Sequence, residues 1–373
     1  MALNQVGLER LGTSVTDKIG ERKNLIINGA MQVAQRGTSS TSSGYYTVDR
    51  FQVNYSGTDE APTQAQVDVA SGTSPYTSGF RKALKITNGN QTSGAGADDY
   101  IRIIHFLEAQ NVAQSGWNYV SSSSNITLSF WVKSSVAQNF YGFLLTNDGT
   151  AYSYPFETGS LTADTWTKIT KTIPGNSNLT VNNDNGTGLE FQITPFYGTN
   201  KTGSVSLNAW GAFSSSARTP DYTSTWYTTN DATFEITGVQ LEVGSVATDF
   251  EHRSFAQELE LCKRYYEQFD SNGLLEASFG VGYFESNNNL RAVVPLHEKR
   301  ADVSFSSTAA STFASMNTAN MPAGSSISLY KTGKKAAIIS LVLSSDVTSG
   351  DGRAGILCAQ SSTEATLKFD SEL

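Results

Sequence analysis

The chain is 373 residues long, enough for two domains of ordinary size. Hydrophobic residues make up 38% and charged residues 16%, both below the usual shares of ~45–50% and ~25%; Ser, Thr, Asn and Gly fill the gap, as in loop-rich β structure. A net charge of −8 with no long basic run excludes broad phosphate-backbone binding, which needs clustered Lys and Arg. Cys262 and Cys358 alone exclude a disulfide scaffold or a four-cysteine zinc site, and no apolar run reaches the ~18–20 residues of a membrane span.

Residues 1–23 form a separate lead. Leu8, Leu11, Val15 and Ile19 recur at three- and four-residue steps, the pattern of one short amphipathic helix, which Gly12 and Gly20 weaken. No basic segment precedes an apolar one, so a secretory signal is not expected. Such a segment cannot hold its shape alone in water; it docks on a partner, pairs with copies of itself, or frays.

From 24 to 250 the signal is β. Leu128, Phe130 and Val132 alternate with Thr127, Ser129, Trp131 and Lys133, the period of a half-buried strand. Leu189, Phe191 and Ile193 repeat the pattern, as do Ile101, Ile103 and Leu107. In Phe234–Leu241 the apolar set changes face at Gly238, which predicts a β-bulge. Short strands joined by polar turns such as Asn88-Gly89-Asn90, without intervening helices, predict a sandwich or jelly roll.

The segment 251–270 changes character. Ser254 followed by Gln257 fits a capping box, and Phe255, Leu259, Cys262, Tyr266 and Phe269 fall at 4-3-4-3 spacing. This predicts one helix of about four turns with an aromatic stripe, ended by Asp270–Gly273. A 4-3 stripe suits packing on copies of itself around a threefold axis; packing on its own sandwich is the alternative. Residues 271–373 return to strands, with Ser306–Asn320 expected as an exposed loop, and predict a second, smaller β-sandwich. The expected fold class is therefore all-β, a jelly-roll sandwich joined by one helix to a smaller C-terminal sandwich.

No reaction chemistry assembles. H-E-x-x-H, G-x-S-x-G and Walker-type motifs are missing, and His105, His252 and His297 stand far apart. Asp59-Glu60 and Asp98-Asp99 are neighbours whose side chains diverge on an extended chain, so both read as turn or surface charge. His105 shares a face with Ile101 and Ile103 and reads as a hydrogen-bonded histidine at the edge of the core. Asn182–Gly186 has calcium-loop composition without the ligand alternation; a turn is expected, with a structural calcium left open and no other cofactor or metal. Cys262 reads as a buried small hydrophobe. What remains is surface recognition by aromatics in polar loops. Trp117, Tyr119, Trp226 and Tyr227 are the expected glycan-stacking residues, whereas Trp131 and Trp166 are assigned to packing by their strand context.

Asn24–Met31, then Gln35-Arg36-Gly37-Thr38, then Val48-Asp49-Arg50-Phe51 resemble the opening of a family of bacteriophage tail-fibre and appendage proteins. Thr127–Ser134, Gly238–Gly244, Phe250–Ser254 and Glu258-Leu259 through Tyr266 are similar to its later landmarks. The likeness covers roughly residues 24–270; Asn289–Leu296 is more weakly similar to the domain that often follows. It implies a carbohydrate-binding-module-like jelly roll at 24–250 within a homotrimeric, non-enzymatic virion protein that contacts host-surface polysaccharide and other virion proteins. Residues 1–23 would then attach to the virion through Leu8, Leu11, Val15 and Ile19, the 251–270 helix would trimerise, and no catalytic residue carries over. A purely structural virion component is the alternative expectation, and a depolymerase is disfavoured by the missing repeats and carboxylate pair.

Overall fold

The computed structural model describes residues 23–316, 321–347, 352–360 and 364–373; Leu8, Leu11, Val15 and Ile19 lie outside them. The chain divides into two units, Met1–Ser254 and Phe255–Leu373.

The first unit is a jelly-roll sandwich. Its strands are β1 (Ser39–Ser40), β2 (Gln52–Ser56), β3 (Thr63–Asp68), β4 (Lys82–Thr87), β5 (Tyr100–Glu108), β6 (Asn125–Ser134), β7 (Asn139–Thr146), β8 (Tyr152–Ser160), β9 (Thr167–Pro174), β10 (Thr187–Tyr197), β11 (Gly211–Ala212) and β12 (Thr233–Val243). They form two six-stranded antiparallel sheets, ordered β1-β3-β4-β12-β6-β9 and β11-β8-β7-β10-β5-β2. The chain crosses between sheets repeatedly; of the successive strands only β3 and β4, β7 and β8, and β10 and β11 share a layer. Period-two alternation turns Leu128, Phe130 and Val132 of the first sheet against Leu189, Phe191 and Ile193 of the second, all fully buried.

The motif at 24–51 pins this sandwich. Asn28 is buried in the left-handed region at φ 61°, and its amide donates to the carbonyls of Val33 and Asp49 (both 2.9 Å). A Cβ on Gly29 would stand 2.1 Å from the Val239 carbonyl oxygen, so only glycine fits. Asp49 accepts from the Gln35 amide (2.9 Å), and buried Arg50 donates to the Phe106 carbonyl (2.7 Å). His105 Nε2 lies 3.1 Å from the Ile27 carbonyl oxygen in the core, as its alternation predicts. These residues tie the entering segment to both sheets and face no solvent.

The second unit corrects the expected helix. It runs only from Phe255 to Lys263, and Tyr266–Asp270 is strand β13. The aromatic run after Lys263 pairs instead with the distant strand Thr366–Asp370, and this long-range pairing overrides the local helical pattern. The five-residue stripe therefore does not exist. Phe255 is exposed, Leu259 half-buried and Cys262 buried on the helix, while Tyr266 is buried and Phe269 half-buried on the strand. Gly273 does take the left-handed conformation, at φ 69°, but well beyond the helix end.

The remaining strands are β14 (Ser278–Ser286), β15 (Asn289–Pro295), β16 (Ser304–Ser307), β17 (Phe313–Met316), β18 (Gly324–Thr332), β19 (Ala336–Leu343), β20 (Ala354–Ala359) and β21 (Thr366–Asp370). A three-stranded sheet β13-β21-β16 and a six-stranded sheet β17-β20-β14-β15-β19-β18 enclose a core of Phe284, Leu290, Phe313, Leu341 and Phe369. The expected loop at 306–320 is corrected over its described part: Ser307 ends β16, and β17 buries Phe313 and Ala314 completely; residues 317–320 lie outside the described residues.

Candidate functional site

The outer face of the first sheet carries a pocket of about 270 Å³. The alternation that sends Phe130 inward sends Ser129, Trp131 and Lys133 outward from β6. Trp131 is half-buried and pairs across the ladder with Lys168 of β9. Trp131, Trp166 and Phe250 pack on a small apolar cluster of Ala30, Val69, Phe80 and Ala83. The Lys133 ammonium lies 5.2 Å from the Trp166 ring centroid and pairs with Glu235 at 2.9 Å.

One wall depends on the bulge in β12. Gly238 takes φ 64° where the register with β6 shifts, and a Cβ there would stand 2.6 Å from the Phe80 ring. Glycine therefore lets Phe80 settle over the sheet. Phe80, Phe250 and His252 form a three-ring cluster with centroids 4.8–5.1 Å apart, and His252 Nε2 lies 2.9 Å from the Ser78 carbonyl oxygen.

The segment after β12 forms the other wall, held by buried polar groups. Glu242 accepts from the Thr248 amide and hydroxyl (2.8 and 2.6 Å). The Glu251 amide donates to Gln240 (2.8 Å), and Arg253 donates to the Asn24 carbonyl (2.6 Å). Thr248, Asp249, Phe250 and His252 thereby line the pocket opposite Trp131, Ser129 and Lys168. The result is an indole face bordered by a cation, a carboxylate, an imidazole and hydroxyls. It can stack on a ring and hydrogen-bond its substituents.

The expected stacking residues lie elsewhere. Trp117 is 3% exposed, and Trp226 and Tyr227 are fully buried, which corrects their placement on a solvent-facing platform. The one-turn helix Thr225–Thr228 inserts Trp226 and Tyr227 into the core. Trp226 Nε1 donates to the Thr233 carbonyl (3.0 Å). The Tyr227 hydroxyl donates to Asp99 (3.0 Å), and its ring stacks on Phe196 at 4.2 Å; burial, then the Asp99 bond and charge, push that hydroxyl well above its ordinary pKa. Trp117 Nε1 donates to the Ser124 carbonyl, and Tyr119, partly buried, packs on the same core and bonds the Val181 carbonyl (both 3.3 Å). Polar neighbours in sequence concealed these positions because each ring tucks its polar edge onto a backbone carbonyl or a carboxylate. Trp131 was legible in the alternation itself, which sets it on the polar face.

Among the described residues, no three His, Cys, Asp or Glu side chains gather as a metal site. Within Asn182–Gly186, the Gly186 amide donates to Asp184 (2.9 Å), and Asn182 bonds Asp148 twice (2.8 Å each), bracing the turn. Asp59 likewise accepts from the Ser93 amide and hydroxyl, bonds that lower its pKa. No helix among the described residues is long and apolar enough to cross a membrane.

No family model matches the chain, and no curated protein matches it. Among solved structures, it is similar to the enzymatically active domain of tailspike protein 4 from bacteriophage CBA120, at 10% identity and a TM-score of 0.34 over 59% of this chain and 21% of that one. A family 4 carbohydrate-binding module aligns at 12% identity and 0.28, over 58% of this chain and 98% of its own. The N-terminal cellulose-binding domain of Cellulomonas fimi β-1,4-glucanase C aligns at 10% and 0.27, over 58% and 99%. The chain spans about a fifth of the tailspike chain.

Proposed function

We propose that the first sandwich is a non-catalytic glycan-binding module that seats one sugar ring of a host-surface polysaccharide on Trp131. One observation carries this reading: a half-buried indole on the solvent side of the first sheet, with Lys168, Asp249, Ser129 and His252 around it. The C–H bonds on one face of a pyranose are weakly positive and suit the negative face of an indole, while the flanking side chains hydrogen-bond the hydroxyls. At about 270 Å³ the pocket lies at the small end of the ~300–1,000 Å³ of ligand sites, which suits a single ring or chain end. Trp131→Ala is expected to weaken binding on a host-polysaccharide array at least several-fold, with the melting temperature lowered by only a few degrees. Unchanged binding by the folded variant overturns the reading.

The order and spacing of the motifs from Asn24 to Tyr266 support placing this module in a bacteriophage virion appendage, attached through residues 1–23. The same reading makes the appendage a homotrimer. In the second unit, Val281, Tyr283, Val293 and Tyr330 are 44–64% exposed on one six-stranded sheet, and Val281 and Val293 are cross-strand partners. An exposed apolar strip of this kind favours self-association. Light scattering is expected to give three chains; a monomer at micromolar concentration overturns this part and leaves the glycan reading standing.

A further inference from the structure

The opposite face of the first unit, on the outside of the second sheet, holds an arginine whose Nε makes no hydrogen bond. Arg102 projects outward from β5, between inward-facing Ile101 and Ile103. Its Nε is buried without a hydrogen bond, and its guanidinium carbon lies 5.2 Å from the centroid of the Tyr100 ring. Its cross-strand partner on β2 is Asn54, whose side-chain oxygen is likewise buried and unbonded. Two cross-strand neighbours thus hold an unused donor and an unused acceptor, where most buried polar groups of a fold are paired.

The surroundings favour an anion. The Lys201 ammonium lies 5.7 Å from the same Tyr100 ring and 4.0 Å from Asp98, whose side chain is 77% exposed. The Tyr197 ring is 6.2 Å from Tyr100, and Arg218 donates to the Tyr197 hydroxyl (3.3 Å). That hydroxyl donates to Gln192 (3.0 Å), which in turn donates to buried Glu190. Arg102, Lys201 and Arg218 therefore share this face with Glu190, Asp98 and Asp221, the last accepting from the Thr202 hydroxyl beside Lys201 (2.6 Å). Three cations thus gather beside two tyrosine rings in a chain of net charge −8.

We propose that this face binds the carboxylate of an acidic sugar, taken by the two Nη groups of Arg102 as a two-pronged fork. Arginine forks match a carboxylate with two parallel N–H···O bonds, and the tyrosines supply a ring surface beside it. The inference rests on the glycan-binding reading for its substrate class and adds to it a second site and a charge requirement.

The test titrates the full chain with tri-galacturonic acid, its methyl ester and acetate in a calorimeter. The acid is expected to bind, more weakly as salt rises, and the ester and acetate at least tenfold more weakly. Arg102→Ala is expected to lose at least tenfold for the acid, and Arg102→Lys to recover only part. Trp131→Ala is expected to leave this binding unchanged, which separates the two sites. Equal binding of acid and ester on the unaltered chain overturns the proposal whether or not the variants fold. Acetate binding as tightly as the acid shows a simple anion site and overturns the sugar; loss in Trp131→Ala places the acid on the other sheet and overturns the location.

Discussion

Trp131 and Lys168 are cross-strand partners on β6 and β9 and line one pocket, whereas Trp226, in the same sandwich, is sealed in the core. The two tryptophans therefore answer differently to the same substitution. Trp226→Ala is expected to cost about 3–5 kcal/mol, the range for emptying a buried aromatic site. It also removes the donor to the Thr233 carbonyl. The melting temperature should fall on the order of 10 °C, and any loss of glycan binding should follow unfolding. A Trp226→Ala protein as stable as its parent would contradict the burial.

What the sequence made legible follows from the range over which each feature is decided. The alternation in β5, β6, β10 and β12 is local, and it made legible the sandwich, the burial of His105 and, where it changes face in β12, the bulge at Gly238. The helix from Phe255 was legible at its start, where Ser254 precedes it. Its end was not, because Tyr266–Asp270 is claimed by a strand nearly a hundred residues later. Ser307 and Phe313 looked like loop for the same reason; their partners lie in β21 and β20. The candidate pocket was not foreseen because neighbours in sequence were weighed above side-chain direction: polar context suggested exposure for Trp117 and Trp226, while strand context hid the outward face of Trp131. Arg102 carried no signal at all, since its buried, unbonded Nε arises only once β2 lies beside β5.

His105 sets a pH dependence. Burial, and then the Arg50 charge, hold its imidazole well below the ordinary value. The folded ring stays neutral while the unfolded one takes up a proton near pH 6.5. Its contribution is therefore fully present above about pH 6.5 and is lost as pH falls toward the depressed folded value. His105→Gln is expected to be less stable at pH 8, where it loses the fit against Ile27 and Phe51. The gap to the parent should narrow between pH 6.5 and 5 in urea titrations. A gap that stays constant across that range would show that His105 titrates alike in both states.

Glu190 works in the opposite sense. Burial raises its pKa, although Gln192, Arg102, Asn147 and Arg218 oppose the rise. A raised carboxylate stabilises the fold only below its unfolded value near pH 4.3, and this contribution disappears as pH rises through the folded value. At neutral pH the fold carries a poorly solvated charge. Glu190→Gln is expected to raise the melting temperature at pH 7 by a few degrees and to leave it unchanged at pH 4. A variant less stable at pH 7 would show that the two arginines outweigh the burial.

In the second unit, Glu267 and Lys299 form a buried ion pair at 3.0 Å, with side chains 3% and 0% exposed. The Lys299 ammonium also donates to the Lys263 carbonyl at the end of the helix (2.6 Å), a favourable place for a cation. Glu267 receives His297 as well, through its backbone amide (3.1 Å) and ring. Removing one partner strands the other charge without water, at about 3–5 kcal/mol. Replacing both with apolar groups of similar size removes the stranded charge, leaving mainly the lost helix-end contact. Glu267→Gln is therefore expected to destabilise strongly, and Glu267→Leu with Lys299→Met to recover most of the loss. The five tryptophans all lie before Ser254, so their fluorescence reports the first unit and far-ultraviolet circular dichroism reports both. The Glu267→Gln transition should move to lower urea by circular dichroism while the tryptophan transition stays in place. A circular dichroism transition at the parent's midpoint would mean that Lys299 finds solvent or another acceptor once Glu267 is neutral.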